Sequence, residues 1–194
     1  MKITDFEVID LRVPTSDQLL GSDPFHKEPD YSSAVLHLKT DSEHQGVSVV
    51  FTVGAGTDWI CYGIRDLCQL VVGTSVEDFS ASPILLYRRL IDHHQLRWLH
   101  DGVFRMAAGA ILNAMWDLWA KQQEKPLWKL LVDLEPAFVA DCIDWRNIED
   151  ALTRDEALDI LEQRRSGVSG RENQMSEVGP KAYCTAGWLG LSDE

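Results

Sequence analysis

The run from Val103 to Gln122 limits what this chain can fold into more than any other segment. Val103, Met106, Ala107, Ala110, Ile111, Ala114, Met115, Leu118 and Trp119 recur at helical spacing and cover more than half of a helix circumference. A helix that apolar must be enclosed on most sides, so the rest of the chain has to supply the elements around it. The small residues Ala107-Ala108-Gly109-Ala110 let a neighbouring backbone come close. Asn113 and Asp117 are polar positions one turn apart, and Asp117 is placed to reach Lys121 at i+4.

The enclosing elements are legible on both sides of this helix. Ile3, Phe6, Val8, Leu11 and Val13 alternate with polar residues, which predicts a strand over 2–13. Residues 33–40 and 46–53 give a second and third strand, joined by the hairpin-length turn Asp41-Ser42-Glu43-His44-Gln45. Together they predict a three-stranded antiparallel meander. Thr57 or Asp58 can cap a helix reaching about Val72, and residues 83–94 give another with Pro83 in its first turn. Pro126 opens a short helix through Leu131. Strands followed by a bundle of helices predict an α+β domain over residues 1–136.

Beyond Pro136 the texture changes. Val139 to Trp145 reads as a strand, and 153–164 as an amphipathic helix capped by Thr153. Residues 165–179 read as a polar surface loop. Tyr183 to Leu189 reads as a largely buried strand, of the kind a parallel sheet covers on both faces. Residues 137–194 are therefore expected to begin a second domain.

Charge narrows the partners. The chain has 18 basic and 31 acidic residues and a formal net charge of −13, which argues against a nucleic-acid binder and against adhesion to an anionic membrane. No apolar run approaches the roughly 18 residues of a spanning helix. The opening residues Met1-Lys2-Ile3-Thr4-Asp5 show no signal-peptide or Arg-rich transit pattern, and the expectation is a cytoplasmic protein. Cys61, Cys68, Cys142 and Cys184 sit among apolar neighbours and read as unpaired core thiols.

Three further features bear on chemistry. Gly54-Ala55-Gly56-Thr57 follows a strand and precedes a helix, as an anion nest would. It lacks the third glycine of a dinucleotide fingerprint and a P-loop lysine, so a turn with an N-cap is the stronger reading. His93, His94 and His100, with Asp92 and Asp101, match no zinc spacing and read as structural. The connection over 14–32 is 19 residues long with no clear periodicity. Connections of that length are often lids or binding loops. This one holds Gly21, Ser22, Asp23, Pro24, Pro29 and Tyr31, and a disordered or merely irregular surface loop is the alternative.

Several separated segments carry a family resemblance. Ala110 to Lys121, followed by Lys125-Pro126-Leu127-Trp128-Lys129-Leu130-Leu131, resembles the closing helices of the N-terminal capping domain in the enolase superfamily, mandelate-racemase branch. Gly21-Ser22-Asp23, Asp30-Tyr31-Ser32-Ser33-Ala34, Gln95-Leu96-Arg97-Trp98, Cys142-Ile143-Asp144-Trp145-Arg146 and Ala182 to Gly190 resemble the L-fuconate and L-galactonate dehydratase group. In that family the turn after the third strand carries an arginine, whereas Gly54-Ala55-Gly56-Thr57 has none.

The resemblance implies a capping domain over 1–136 and the start of an incomplete (β/α)₈ barrel over 137–194. It implies a Mg²⁺-dependent hydro-lyase, in which a barrel base removes the proton α to a carboxylate and water is then lost. Gly21, Ser22, Asp23 and Tyr31 would touch the polyol end of a sugar acid such as L-fuconate or L-galactonate. The lysine base and metal carboxylates would lie beyond Glu194, so no catalytic or metal residue is assigned. On this reading the chain alone is inactive and binds no Mg²⁺, and the full-length enzyme is a homo-oligomer. The alternative is a shortened, non-catalytic product that acts as a binding or oligomerisation module.

Overall fold

The computed structural model describes residues 1–99 and 101–179. Three strands open the chain: β1 (Ile3–Leu11), β2 (Ser32–Thr40) and β3 (Gln45–Thr52). They form one sheet in the order β1-β2-β3, both pairs antiparallel, as the alternating pattern predicts. Eight helices follow among the described residues: α1 (Thr57–Cys68), α2 (Val76–Ala81), α3 (Pro83–Ile91), α4 (Val103–Gln122), α5 (Leu127–Asp133), α6 (Pro136–Asp141), α7 (Arg154–Arg165) and α8 (Val168–Val178).

The sheet has one dry face. Ala34, Leu36 and Leu38 alternate along β2 and are fully buried, as side chains on one face of a strand must be. They meet Ile64 and Leu67 of α1 and Ile111, Met115 and Leu118 of α4 in a single core. α4 runs through the middle of that core, as its apolar girth requires. Met106 is the exception: it is 41% exposed, on the side of α4 that no described element covers.

β3 approaches α4 closely because of Gly46. A Cβ there would run into the Ala114 carbonyl and stand 2.7 Å from Leu118 Cγ. Asp117 accepts a hydrogen bond from Val47 N at 2.7 Å and one from Lys121 Nζ at 2.7 Å, and Lys121 Nζ donates to the Gln45 carbonyl. The i+4 pair expected from sequence therefore also covers part of an open strand edge.

An aromatic ladder ties the later helices to this core. Phe79 meets Trp116 edge-on at 5.4 Å, Trp116 stacks on Trp119 at 5.1 Å, and Trp119 meets Phe138 of α6 at 5.9 Å.

Several local expectations need correction. Val139 to Trp145 is not a strand: α6 covers its start, and Trp145–Asn147 is a 3₁₀ turn. Pro136 presets the first helical position, and an apolar run as short as Phe138-Val139-Ala140 cannot separate helix from strand. Residues 165–179 hold helix α8 rather than a loop. α8 buries none of its side chains, so periodicity could not reveal it. Its anchors are polar, with Lys129 Nζ 2.8 Å from Glu172.

Helix α2 was also unforeseen. Its cap is Ser75, whose hydroxyl accepts from Asp78 N at 3.0 Å. The N-cap of α1 is Gly56 at φ +89°, not Thr57 or Asp58. The cap predicted at Thr153 is present as a full capping box with Glu156. The strand expected at 183–189, His100 and Cys184 lie outside the described residues.

Candidate functional site

The 14–32 connection is fastened along its length rather than left loose. At its base, Thr15 Oγ1 donates to the Pro29 carbonyl at 2.6 Å and accepts from Tyr31 N at 2.9 Å. Ser16 donates through both its hydroxyl and its backbone N–H to Asp30 Oδ1, at 2.6 and 3.2 Å. These two donations, the hydroxyl foremost, hold the Asp30 carboxyl below its ordinary pKa. Ser32 Oγ donates to the Asp30 carbonyl and accepts from Val13 N. None of Thr15, Ser16 or Asp30 was singled out for this role from sequence. The available signal was the density of short hydroxyl and carboxyl side chains at both ends of one long loop.

The four residues expected at the site occupy different settings. Gly21 has φ +74°, and a Cβ there would collide with the Tyr31 ring. The Tyr31 hydroxyl donates to the Gly21 carbonyl at 2.7 Å, so the two residues clasp each other. Ser22 is fully buried beside them, and its hydroxyl has no partner among the described residues. Asp23 is half-exposed and folds the tip into a tight turn. Its Oδ1 accepts from His26 N at 2.7 Å and Phe25 N at 2.8 Å, and His26 Nδ1 lies 3.2 Å from both carboxylate oxygens. The His26 backbone bond, then the His26 ring, then the Phe25 bond lower the Asp23 pKa, so the group is an anion and a pure acceptor at neutral pH. Phe25 stands at the tip, 93% exposed.

The loop meets the Gly54-Ala55-Gly56-Thr57 turn. Asp30 N donates to the Val53 carbonyl at 3.3 Å, and a Cβ on Gly54 would come within 2.9 Å of Asp30 Cβ. The Gly54 carbonyl accepts from Thr57 Oγ1 at 2.7 Å and from the Arg12 guanidinium at 2.6 Å. The turn is a strand-to-helix corner with Gly56 as N-cap, and Thr57 Oγ1 ties the helix start back to Gly54. Arg12 also donates to Asp10 at 2.9 Å and lies 3.5 Å from Asp58. It therefore brings an arginine to a turn whose own sequence has none, and every direction of its guanidinium faces an acceptor. Tyr31 packs edge-on against Phe51 of β3, with ring centroids 5.2 Å apart.

Around this junction the surface is apolar. Phe51, Val53, Trp59 and Tyr62 are each more than half exposed. They line two adjoining hollows of about 370 and 480 Å³ that share Trp59 and Val103. Contiguous exposed apolar side chains of this kind are a feature of contact surfaces.

The matrix of known proteins agrees with this architecture. Residues 24–132 match the model of the mandelate racemase / muconate lactonizing enzyme N-terminal domain. The chain belongs to the enolase superfamily, in its mandelate racemase branch.

It is 44% identical over 198 residues to mitochondrial enolase superfamily member 1 of Xenopus laevis, covering 100% of this chain and 44% of that protein. It is 39% identical to the L-galactonate dehydratase of Hypocrea jecorina, covering 99% of this chain and 44% of that enzyme. The crystal structure of the human mitochondrial enolase superfamily member 1 superposes with a TM-score of 0.93 at 42% identity, over 99% of this chain and 45% of its own. The chain thus spans less than half the length of these relatives. A more distant member shares the fold alone. The L-talarate dehydratase of Polaromonas sp. JS666, complexed with Mg and L-glucarate, aligns at TM-score 0.51 and 22% identity over 67% of this chain and 32% of its own.

Among the described residues, no three His, Cys, Asp or Glu side chains are grouped so as to hold a metal ion. His93 and His94 stack on each other at 4.8 Å instead. Cys61 and Cys68 are buried and free, and desolvation pushes the Cys68 thiol up to about 12, which makes it inert. Among the described residues, no helix is long and apolar enough to cross a membrane.

Proposed function

We propose that this chain is the capping portion of a sugar-acid dehydratase of the L-fuconate or L-galactonate type. The observation that carries the reading is the fastened 14–32 loop, seated on a superfamily capping fold beside an exposed apolar belt. A lid needs a loop that is held in shape and a surface that sits against something else.

In this reading Asp23 accepts hydrogen bonds from the hydroxyls of the acid's polyol end. Gly21 and Tyr31 hold the loop that presents it, and the buried Ser22 hydroxyl offers a donor once the loop closes. Proton abstraction and Mg²⁺ belong to the barrel of the whole protein, and no chemical step is placed on the described residues. Identity to the L-galactonate dehydratase of Hypocrea jecorina supports the substrate class.

The test is a chimera in which this chain replaces the matched part of that dehydratase. It should dehydrate L-galactonate or L-fuconate. Asp23→Ala should lower kcat/KM by roughly tenfold or more, the loss expected of a charge-assisted hydrogen bond. Equal kcat/KM for the two proteins across several sugar acids would remove the binding role.

The apolar belt favours a second reading, in which the chain acts without catalysis through association. Light scattering on the purified chain separates the two. A defined, stable oligomer supports a binding module, whereas a monomer that is inactive alone supports the lid.

A further inference from the structure

The four helices that follow α4 enclose a groove that the capping role does not use. Leu131 of α5, Leu134 of the α5–α6 link and Val139 of α6 form one wall, and Leu161 of α7 and Val168 at the start of α8 form the other. The groove holds about 230 Å³. A second hollow of about 100 Å³, lined by Trp128 and Met175, continues it and shares Val132, Val168 and Arg171.

Its rim is cationic in a chain whose net charge is −13. Arg164, Arg165 and Arg171 all border it. Arg165 is taken up by Glu135 at 2.8 Å. Among the described residues, no carboxylate lies within ion-pairing distance of the other two. Arg171 instead donates to the Arg164 carbonyl at 2.6 Å. Gly167 makes that possible, since a Cβ there would stand against the Arg171 guanidinium. Glu172, which borders the second hollow, is already held by Lys129 at 2.8 Å.

We propose that this groove binds a small amphipathic carboxylate, with the alkyl chain between α5–α6 and α7–α8 and the head group on Arg164 and Arg171. Sites of this kind combine an apolar lining with a few placed polar groups. Two guanidinium groups with no carboxylate partner among the described residues, bordering an apolar slot, complement an anionic head on an aliphatic tail. A sugar acid does not fit, because its hydroxyls would find no acceptors in the slot.

Calorimetric titration with octanoate tests the proposal, with butyrate and octanol as comparators. Octanoate should show one saturable site. It should bind roughly tenfold or more tighter than butyrate, through the extra buried methylenes. It should also bind tighter than octanol, through the head group. The double variant Arg164→Gln, Arg171→Gln should weaken octanoate about tenfold while leaving the octanol affinity and the circular dichroism spectrum unchanged. Amide chemical-shift changes should centre on Leu131, Leu161 and Val168. Non-saturable uptake, equal affinity for octanol, an unaltered double variant, or shifts elsewhere in the molecule would each overturn it. So would a self-associated form whose contact closes the groove to octanoate.

Discussion

At the scale of single residues, the early loop depends on one glycine and one ring. Gly21 sits where an L side chain is strained, and the space its Cβ would need is filled by Tyr31. Gly21→Ala should therefore cost about 1–3 kcal/mol and loosen the loop, through positive φ and overpacking together. Hydrogen exchange at residues 19–31 against thermal melting of the core checks it, and equal protection in the two proteins would refute the clasp. Asp23, Gly21 and Tyr31 drew attention in the sequence because their residue types suit a binding loop. Their division of labour did not. Whether a tyrosine hydroxyl meets a ligand or a backbone carbonyl ten residues away depends on chain reversal, which no local pattern encodes.

Asp144 offers a pH test at the same scale. It is nearly buried, accepts from the Arg146 guanidinium at 2.8 Å and lies 4.0 Å from Arg88. The Arg146 bond lowers its pKa below the ordinary 3.8. A depressed carboxylate stabilises the fold above its unfolded value, and that contribution is lost as pH falls through the folded one. Asp144→Asn should then cost about 1 kcal/mol at neutral pH, after allowance for the exposed Arg146 side chain. The gap between wild type and variant should close as pH drops below 3.8. Parallel denaturation curves at pH 7 and pH 3 would decide it, and a gap of constant width would count against the pairing.

At the scale of elements, legibility followed burial. β2 and α4 were readable because each presents an apolar face to one core, and burial imposes a period on sequence; β1 and β3 were readable from alternation alone, since β1 buries only Ile3 and β3 only Gly46 and Ser48. α8 and the 3₁₀ turn at Trp145–Asn147 bury too little to leave one. α7 lies between these cases. It buries only Ala157, yet its start was legible from the Thr153–Glu156 capping box. Thr153→Ala should cost about 1 kcal/mol, concentrated in α7, because little packing compensates for a lost cap. Helical amide protection over 154–165 measures this. The β3–α4 contact is the opposite case. Gly46→Ala should destabilise the whole fold by about 1–3 kcal/mol, since the added methyl meets the rigid Ala114 carbonyl. A variant with unchanged denaturant midpoint would show that α4 can shift away from the sheet.

At the scale of the whole molecule, the family and the capping architecture were legible because several motifs agreed in order along the chain. The apolar belt was not. Phe51, Val53 and Trp59 are close in sequence, but Val103 and Met106 of α4 lie more than 40 residues on, and only folding brings them alongside. One consequence of the loop's construction concerns proteases. Phe25 is the most exposed large apolar side chain of the loop, while the arms on either side are pinned at Thr15, Ser16 and Gly21 to Pro29, Asp30 and Tyr31. Chymotrypsin should therefore nick the native protein after Phe25 without freeing either arm. The cut halves should travel together on a sizing column and separate only in denaturant.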